Sequence, residues 1–157
     1  MTGKNILKLV ACIAVPLIVG GISGYITASQ ITSWYATLNK PSFNPPNYLF
    51  GPVWTLLYIM MGVSLFIVLN TPEDKPRKRA AAIFSVQLFL NFCWSIIFFS
   101  LHRPDFAMAE IILLWVSIVA MIVSFFRLKP VAAYLQIPYL LWVTFASALN
   151  LSILLLN

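Results

Sequence analysis

Lys8-Leu9-Val10-Ala11-Cys12-Ile13-Ala14-Val15-Pro16-Leu17-Ile18-Val19-Gly20-Gly21-Ile22-Ser23-Gly24-Tyr25-Ile26-Thr27-Ala28 carries no charge after its first residue. A bilayer core about 30 Å thick takes roughly 20 apolar residues of helix rising about 1.5 Å per residue. This one stretch is therefore long enough to cross. Charge-free runs of similar length recur along the chain. Of its 157 residues 61% are hydrophobic and 9% charged, and the mean hydropathy is +0.93. A soluble domain carries about 25% charged residues to keep its surface in water. These charges cannot coat a globule, but they can mark the ends of segments buried in lipid. The runs predict an all-α integral membrane bundle, one domain over residues 1–157, with five spans near 6–28, 48–70, 79–101, 106–127 and 131–156. Isolated strands would leave backbone polar groups unpaired in lipid, and the runs do not alternate as barrel strands do.

Orientation follows from the ten Lys and Arg. Lys4, Lys8, Lys75, Arg77, Lys78, Arg79, Arg127 and Lys129 fall on one side, and only Lys40 and Arg103 on the other. The positive-inside rule puts the N-terminus in the cytoplasm and the 29–47 loop outside. The net charge of +6 is read as topology with anionic membrane lipid as partner, and nucleic acid is not expected. The first run reads as a retained span, because Ile26 suits cleavage after Ala28 poorly. Cys12 and Cys93 both lie mid-span and read as buried thiols.

The same inventory excludes chemistry. His102 is the one histidine, so a haem held by two axial histidines and a His-rich metal site are excluded. Glu110 reads as a first-turn residue of the fourth span, favoured by the helix dipole. No Asp, Glu, Lys or Arg falls in the middle of a span, which disfavours ion-driven pumps, ion-coupled carriers and hydrolytic enzymes. No catalytic residue and no required cofactor are expected, and an enzyme is the less favoured reading.

Two features ask for more. Trp34-Tyr35 and Leu38-Asn39-Lys40-Pro41-Ser42-Phe43-Asn44-Pro45-Pro46 lead to Phe50-Gly51-Pro52-Val53-Trp54. Pro41, Pro45, Pro46 and Pro52 each fix a φ angle and remove a donor, so this loop is stiff, and its aromatic residues suit a cover over the bundle mouth. An interfacial aromatic belt is the plainer alternative. Inside the spans, Trp54, Tyr58 and Met61 share a face, as do Gln87, Asn91 and Trp94-Ser95. Tyr134, Pro138, Trp142, Ala146 and Asn150 recur every four residues. Amides are costly in lipid, so they either bond across helices or line a pocket. A shared pocket would suit a flat, largely apolar ligand with few polar edges.

These residues, with Gln87-x-x-x-Asn91-x-x-Trp94-Ser95 and Pro138-Tyr139-x-x-Trp142-x-x-Phe145-Ala146-x-x-Leu149-Asn150, resemble the translocator protein family (TspO/MBR, tryptophan-rich sensory proteins) of bacterial type, in family order across nearly the whole chain. The resemblance implies a homodimeric five-helix bundle whose first loop closes a pocket for porphyrins and related tetrapyrroles, with sterol-like ligands in some members. It implies ligand contacts from Trp34, Tyr35, Trp54, Tyr58, Gln87, Asn91, Trp142 and Ala146. The Tyr and basic residue of the animal sterol motif are missing from the C-terminus, which speaks against cholesterol. A membrane receptor or carrier is the leading function. A light-dependent porphyrin-degrading enzyme and a structural subunit of a membrane complex are the alternatives. Small residues at Gly20/Gly24 suggest internal packing and those at Ala81/Ser85 a dimer face.

Overall fold

The computed structural model describes residues 3–157, all of whose regular structure is helical. Five helices are long and apolar enough to span a membrane: Gly3–Thr32, Asn47–Leu69, Asp74–Ser100, Pro104–Leu128 and Pro130–Leu156. In finer detail these are α1 (Gly3–Thr32), a short lid helix α2 (Trp34–Thr37), α3 (Phe50–Leu69), α4 (Asp74–Ser95), α5 (Pro104–Leu128), α6 (Pro130–Tyr134) and α7 (Ile137–Leu156).

The prolines set several of these boundaries. Pro104 and Pro130 open α5 and α6, where a missing N–H costs nothing. Pro138 has no N–H to offer Tyr134, so the fifth span breaks at Leu135–Gln136 into α6 and α7. The expected four-residue stripe is broken there too: Tyr134 is exposed on α6, while Trp142, Ala146 and Asn150 stay on α7. The first span runs four residues beyond its expected end, to Thr32, and Trp34–Thr37 adds a turn. The connection beneath which a ligand could sit is correspondingly shorter than 29–47.

Around the bundle α3 packs on α1, α1 on α4, α4 on α5 and α5 on α6 and α7, with α6 returning to α3. A Cβ at Gly62 would lie 2.4 Å from Ile13 Cα, so α1 and α3 meet backbone to backbone there. The core is carried by Met61, Val68, Ile118, Met121 and Phe125, all fully buried. Lys8 Nζ donates to Leu69 O at 2.8 Å, which puts the start of α1 and the end of α3 at one end of the bundle. His102 and Gln30 meet at 2.9 Å at the other.

Candidate functional site

A cavity of about 380 Å³ lies between α1, α3, α4 and α7 beneath the lid, within the range usual for small-molecule sites. Aromatic side chains from several helices meet in its lining. Trp54 comes from α3, Trp94 from α4 and Trp142 from α7, joined by Tyr35, Tyr58, Phe98 and Phe145. The α1 side is instead mostly small, with Gly20, Gly21, Gly24 and Ala28 between Leu17 and Ile31. A Cβ at Gly20 would fall 2.0 Å from the Tyr58 ring, whereas one at Gly24 meets nothing within 4 Å. Gly20 therefore packs internally as its spacing suggests, while Gly24 leaves room in the cavity.

The end of α4 is shaped for this wall. Leu101 N donates to Ile96 O at 3.0 Å, a wide π-helical turn over Ile96–Ser100. Such turns recur at functional sites. Here it presents Phe98 and Phe99 side by side, centroids 4.9 Å apart, with Trp94 stacked on Phe98 at 5.3 Å. Trp94 Nε1 donates to Asn150 Oδ1 at 3.2 Å, and Asn150 Nδ2 donates to Pro104 O at 2.8 Å. Asn150 thus lines the cavity with both functions of its amide engaged.

The lid is braced within itself and clasped to the end of α7. Tyr35 Oη donates to Asn44 Oδ1 at 2.7 Å, and Lys40 Nζ lies 4.9 Å over the Tyr35 ring. Burial pushes the Tyr35 phenol up to about 12, against the pull of Asn44, so it stays a neutral donor at physiological pH. Asn39 N donates to Asn157 Oδ1 at 2.9 Å and Asn157 Nδ2 donates to Asn39 O at 3.0 Å, a two-way clasp between lid and C-terminus.

Of the residues expected to touch a ligand, Tyr35, Trp54, Tyr58, Trp142 and Ala146 line the cavity. Trp34, Gln87 and Asn91 do not. Trp34 stacks on His102 at 4.4 Å, outside the lining, where it braces the lid. Gln87 and Asn91 are buried behind Tyr58: Tyr58 Oη donates to Asn91 Oδ1, Asn91 Nδ2 to Tyr139 Oη at 3.2 Å, and Tyr139 Oη to Gln87 Oε1 at 2.9 Å. Between the open alternatives for these amides, bonding across helices is the arrangement seen. Sequence reasoning missed Tyr139 as the hub of this chain, although it stands inside the Pro138-Tyr139 motif. It also missed Phe98 and Phe99, whose approach depends on the wide turn. Glu110 corrects another expectation: it lies in the second turn of α5, buried, with neither carboxylate oxygen bonded to a described residue.

A multi-span helical bundle enclosing an aromatic cavity under a stiff, latched lid defines a membrane protein organised around an internal small-molecule-sized chamber. The chain belongs to the TspO/MBR family, whose model matches residues 12–156. It is 44% identical over 155 residues to the tryptophan-rich protein TspO of Chlorobaculum tepidum, covering 98% of each chain. It is 45% identical over 153 residues to that of Archaeoglobus fulgidus, covering 98% of this chain and 99% of the other. The translocator protein of Homo sapiens is 35% identical over 119 residues, covering 74% of this chain and 70% of its own.

Proposed function

We propose that this multi-pass membrane protein is a receptor or carrier that takes porphyrins and related tetrapyrroles, or sterol-like molecules of similar flatness, into the cavity beneath the lid. The observation that carries the reading is the convergence of Trp54, Trp94 and Trp142, from three helices, on one cavity. Flat π-systems stack on such walls, and the few polar groups at the edge would orient them. Tyr35, Trp54, Tyr58, Trp142 and Ala146 would touch the ligand, while Trp34, Gln87 and Asn91 would hold those residues in place. The N-terminus would face the cytoplasm of a bacterial cell membrane, and the protein would act as a homodimer.

Titrating the purified protein with protoporphyrin IX, read by tryptophan fluorescence quenching, tests this. Saturable one-site binding is expected. Its absence from a protein that keeps its helical circular dichroism would sink the reading and favour a structural subunit. One observation favours the enzyme alternative. The Trp54 ring stacks on Tyr58 at 5.4 Å, and Tyr58 opens the hydrogen-bonded chain to Tyr139, a route by which oxidisable groups reach the cavity. Product analysis after illumination, with and without Trp142, separates the two.

A further inference from the structure

Glu110 is the one acid this chain buries. It stands on the interior stripe of α5 with Ala107, Ile111, Leu114 and Ile118. At about 1.5 Å per residue it lies about 9 Å along the axis from Pro104, inside the span rather than at its mouth. Only 8% of it is exposed, and neither carboxylate oxygen has a hydrogen-bond partner among the described residues. Neither the cavity nor its lid uses it.

No cation is placed to pair with it. On α5 itself, Asp105 is taken by Arg103 through bonds of 2.9 and 2.6 Å, and Arg127 stands at the far end. α4, α6, α7 and the wide turn Ile96–Ser100 pack against α5. The charges of α4 all lie at its opposite end, from Asp74 to Arg79, while α7 and the wide turn carry none. α6 offers only Tyr134, which is exposed. The titratable groups within electrostatic reach of Glu110 are the Cys93 thiol of α4 and the Tyr139 phenol of α7. An ionised Glu110 would thus be an unpaired charge in the interior, among the least favourable arrangements a membrane bundle can hold. It would also be a stronger acceptor than an amide oxygen. The Tyr139 hydroxyl now donates to Gln87 Oε1 at 2.9 Å. Drawn toward a carboxylate, it would leave Gln87 and loosen Asn91, and with Asn91 the Tyr58 ring at the cavity wall.

We propose that Glu110 is a proton-binding site inside the membrane, held as the neutral acid, whose loss of the proton to solvent loosens the Tyr139–Asn91–Tyr58 chain behind the cavity. The site stands whatever the cavity takes. Its link to ligand retention rests on the function proposed above.

Infrared spectroscopy of the full chain in lipid, compared with Glu110→Gln, tests the site. Glu73, Asp74 and Asp105 are exposed and ionised at neutral pH, so a carbonyl-stretch band of a protonated carboxyl reports Glu110 alone. The band should be present in the parent at neutral pH, be lost as the pH is raised, and be absent from Glu110→Gln. That variant copies the neutral acid in size and charge and should fold. The folded chain holds this proton more tightly than the unfolded one, so the parent's melting temperature should fall with rising pH. Glu110→Gln should lose that dependence. Protoporphyrin IX affinity should fall in the parent, relative to Glu110→Gln, by up to about tenfold per pH unit, the slope of one linked proton. No carboxyl band at neutral pH, or the same melting profile in both chains, would overturn the proton site. Equal pH profiles of porphyrin affinity would overturn its link to the cavity. A chain that binds no porphyrin at all defeats the function proposed above, and the infrared and melting profiles then decide this site.

Discussion

The hydroxyl of Tyr58 donates to Asn91 Oδ1 at 2.7 Å, so Asn91 meets the cavity only through Tyr58. Asn91 in turn donates to Tyr139, itself bonded to Gln87, and all four side chains are buried. Losing Asn91 therefore leaves the buried Tyr58 hydroxyl without its acceptor and takes one of its two partners from Tyr139, which keeps its bond to Gln87.

Asn91→Ala should lower the melting temperature in detergent well before it alters ligand contacts. An orphaned buried polar group costs about 1–3 kcal/mol. Tyr58→Phe, which removes one bond of the chain and keeps the ring, should cost less. If Asn91→Ala melts like the parent chain but loses porphyrin affinity, Asn91 touches the ligand and the arrangement described here is wrong.

The glycines divide into two groups with opposite expected outcomes. Gly62→Ala places a methyl 2.4 Å from Ile13 Cα and 2.7 Å from Cys12 O, backbone atoms that move only if α1 and α3 separate. It should destabilise the bundle, with overpacking typically worth about 1–3 kcal/mol. Gly24→Leu grows into open space and should keep the melting temperature while occupying the cavity. Thermal scans paired with porphyrin titration separate the two effects. Loss of the fold in Gly24→Leu would show that this wall of the cavity is packed.

Much of this molecule is legible in its sequence because lipid imposes simple rules. Long charge-free runs mark the five spans, and charges mark their ends. Periodicity also brought Trp54, Tyr58, Trp142 and Ala146 to one chamber. It could not tell Asn91 from a lining residue. Asn91 shares a stripe with Trp94, yet Trp94 lines the cavity while Asn91 turns behind Tyr58, a distinction set by helix packing. The advance of Phe98 and Phe99 was equally hidden, since an i→i−5 turn shifts the angular register that helical spacing assumes.

The Asn39–Asn157 clasp should govern how fast the lid opens. Two hydrogen bonds link the Asn157 amide to the Asn39 backbone, and Asn39 Nδ2 adds a third to Leu156 O at 3.3 Å. At about 0.5–1.5 kcal/mol each, their loss is enough to loosen the loop but not the bundle. Asn157→Ala should hasten proteolysis near the exposed Ser42–Phe43 and speed porphyrin exchange in stopped flow. Because the Tyr35 phenol titrates only near 12, the remaining Tyr35–Asn44 latch should hold through the neutral range and fail as pH rises past that value. Unchanged cleavage in the variant would remove the clasp from the mechanism.

Orientation can be checked at Ser42, exposed in the lid. A single cysteine there, in a Cys12→Ala/Cys93→Ala background, should react with an impermeant maleimide added outside intact cells. Reaction only after the cytoplasmic side is opened would reverse the assignment made from the basic residues.

Trp142→Phe is the most direct test of the cavity as a stacking site. Trp142 lines it and is held edge-on by Phe50 at 6.1 Å and at a tilt by Phe145 at 5.5 Å, so its ring has a defined pose before any ligand arrives. Phenylalanine keeps an aromatic face but a smaller one, and it removes the indole N–H. A stacked aromatic contact is worth about 0.5–1.5 kcal/mol beyond its burial, so porphyrin affinity should fall up to about tenfold. The bundle should stay folded, because Trp142 is only partly buried. The control must be lipid-facing. Phe125 fails on that count, since it is fully buried and stacked on Phe84 at 6.4 Å, whereas Leu113 is 61% exposed. Titrations of Trp142→Phe and Leu113→Ala in the same detergent give the comparison. If Leu113→Ala weakens porphyrin as much as Trp142→Phe does, the aromatic wall is ordinary packing and the ligand lies elsewhere.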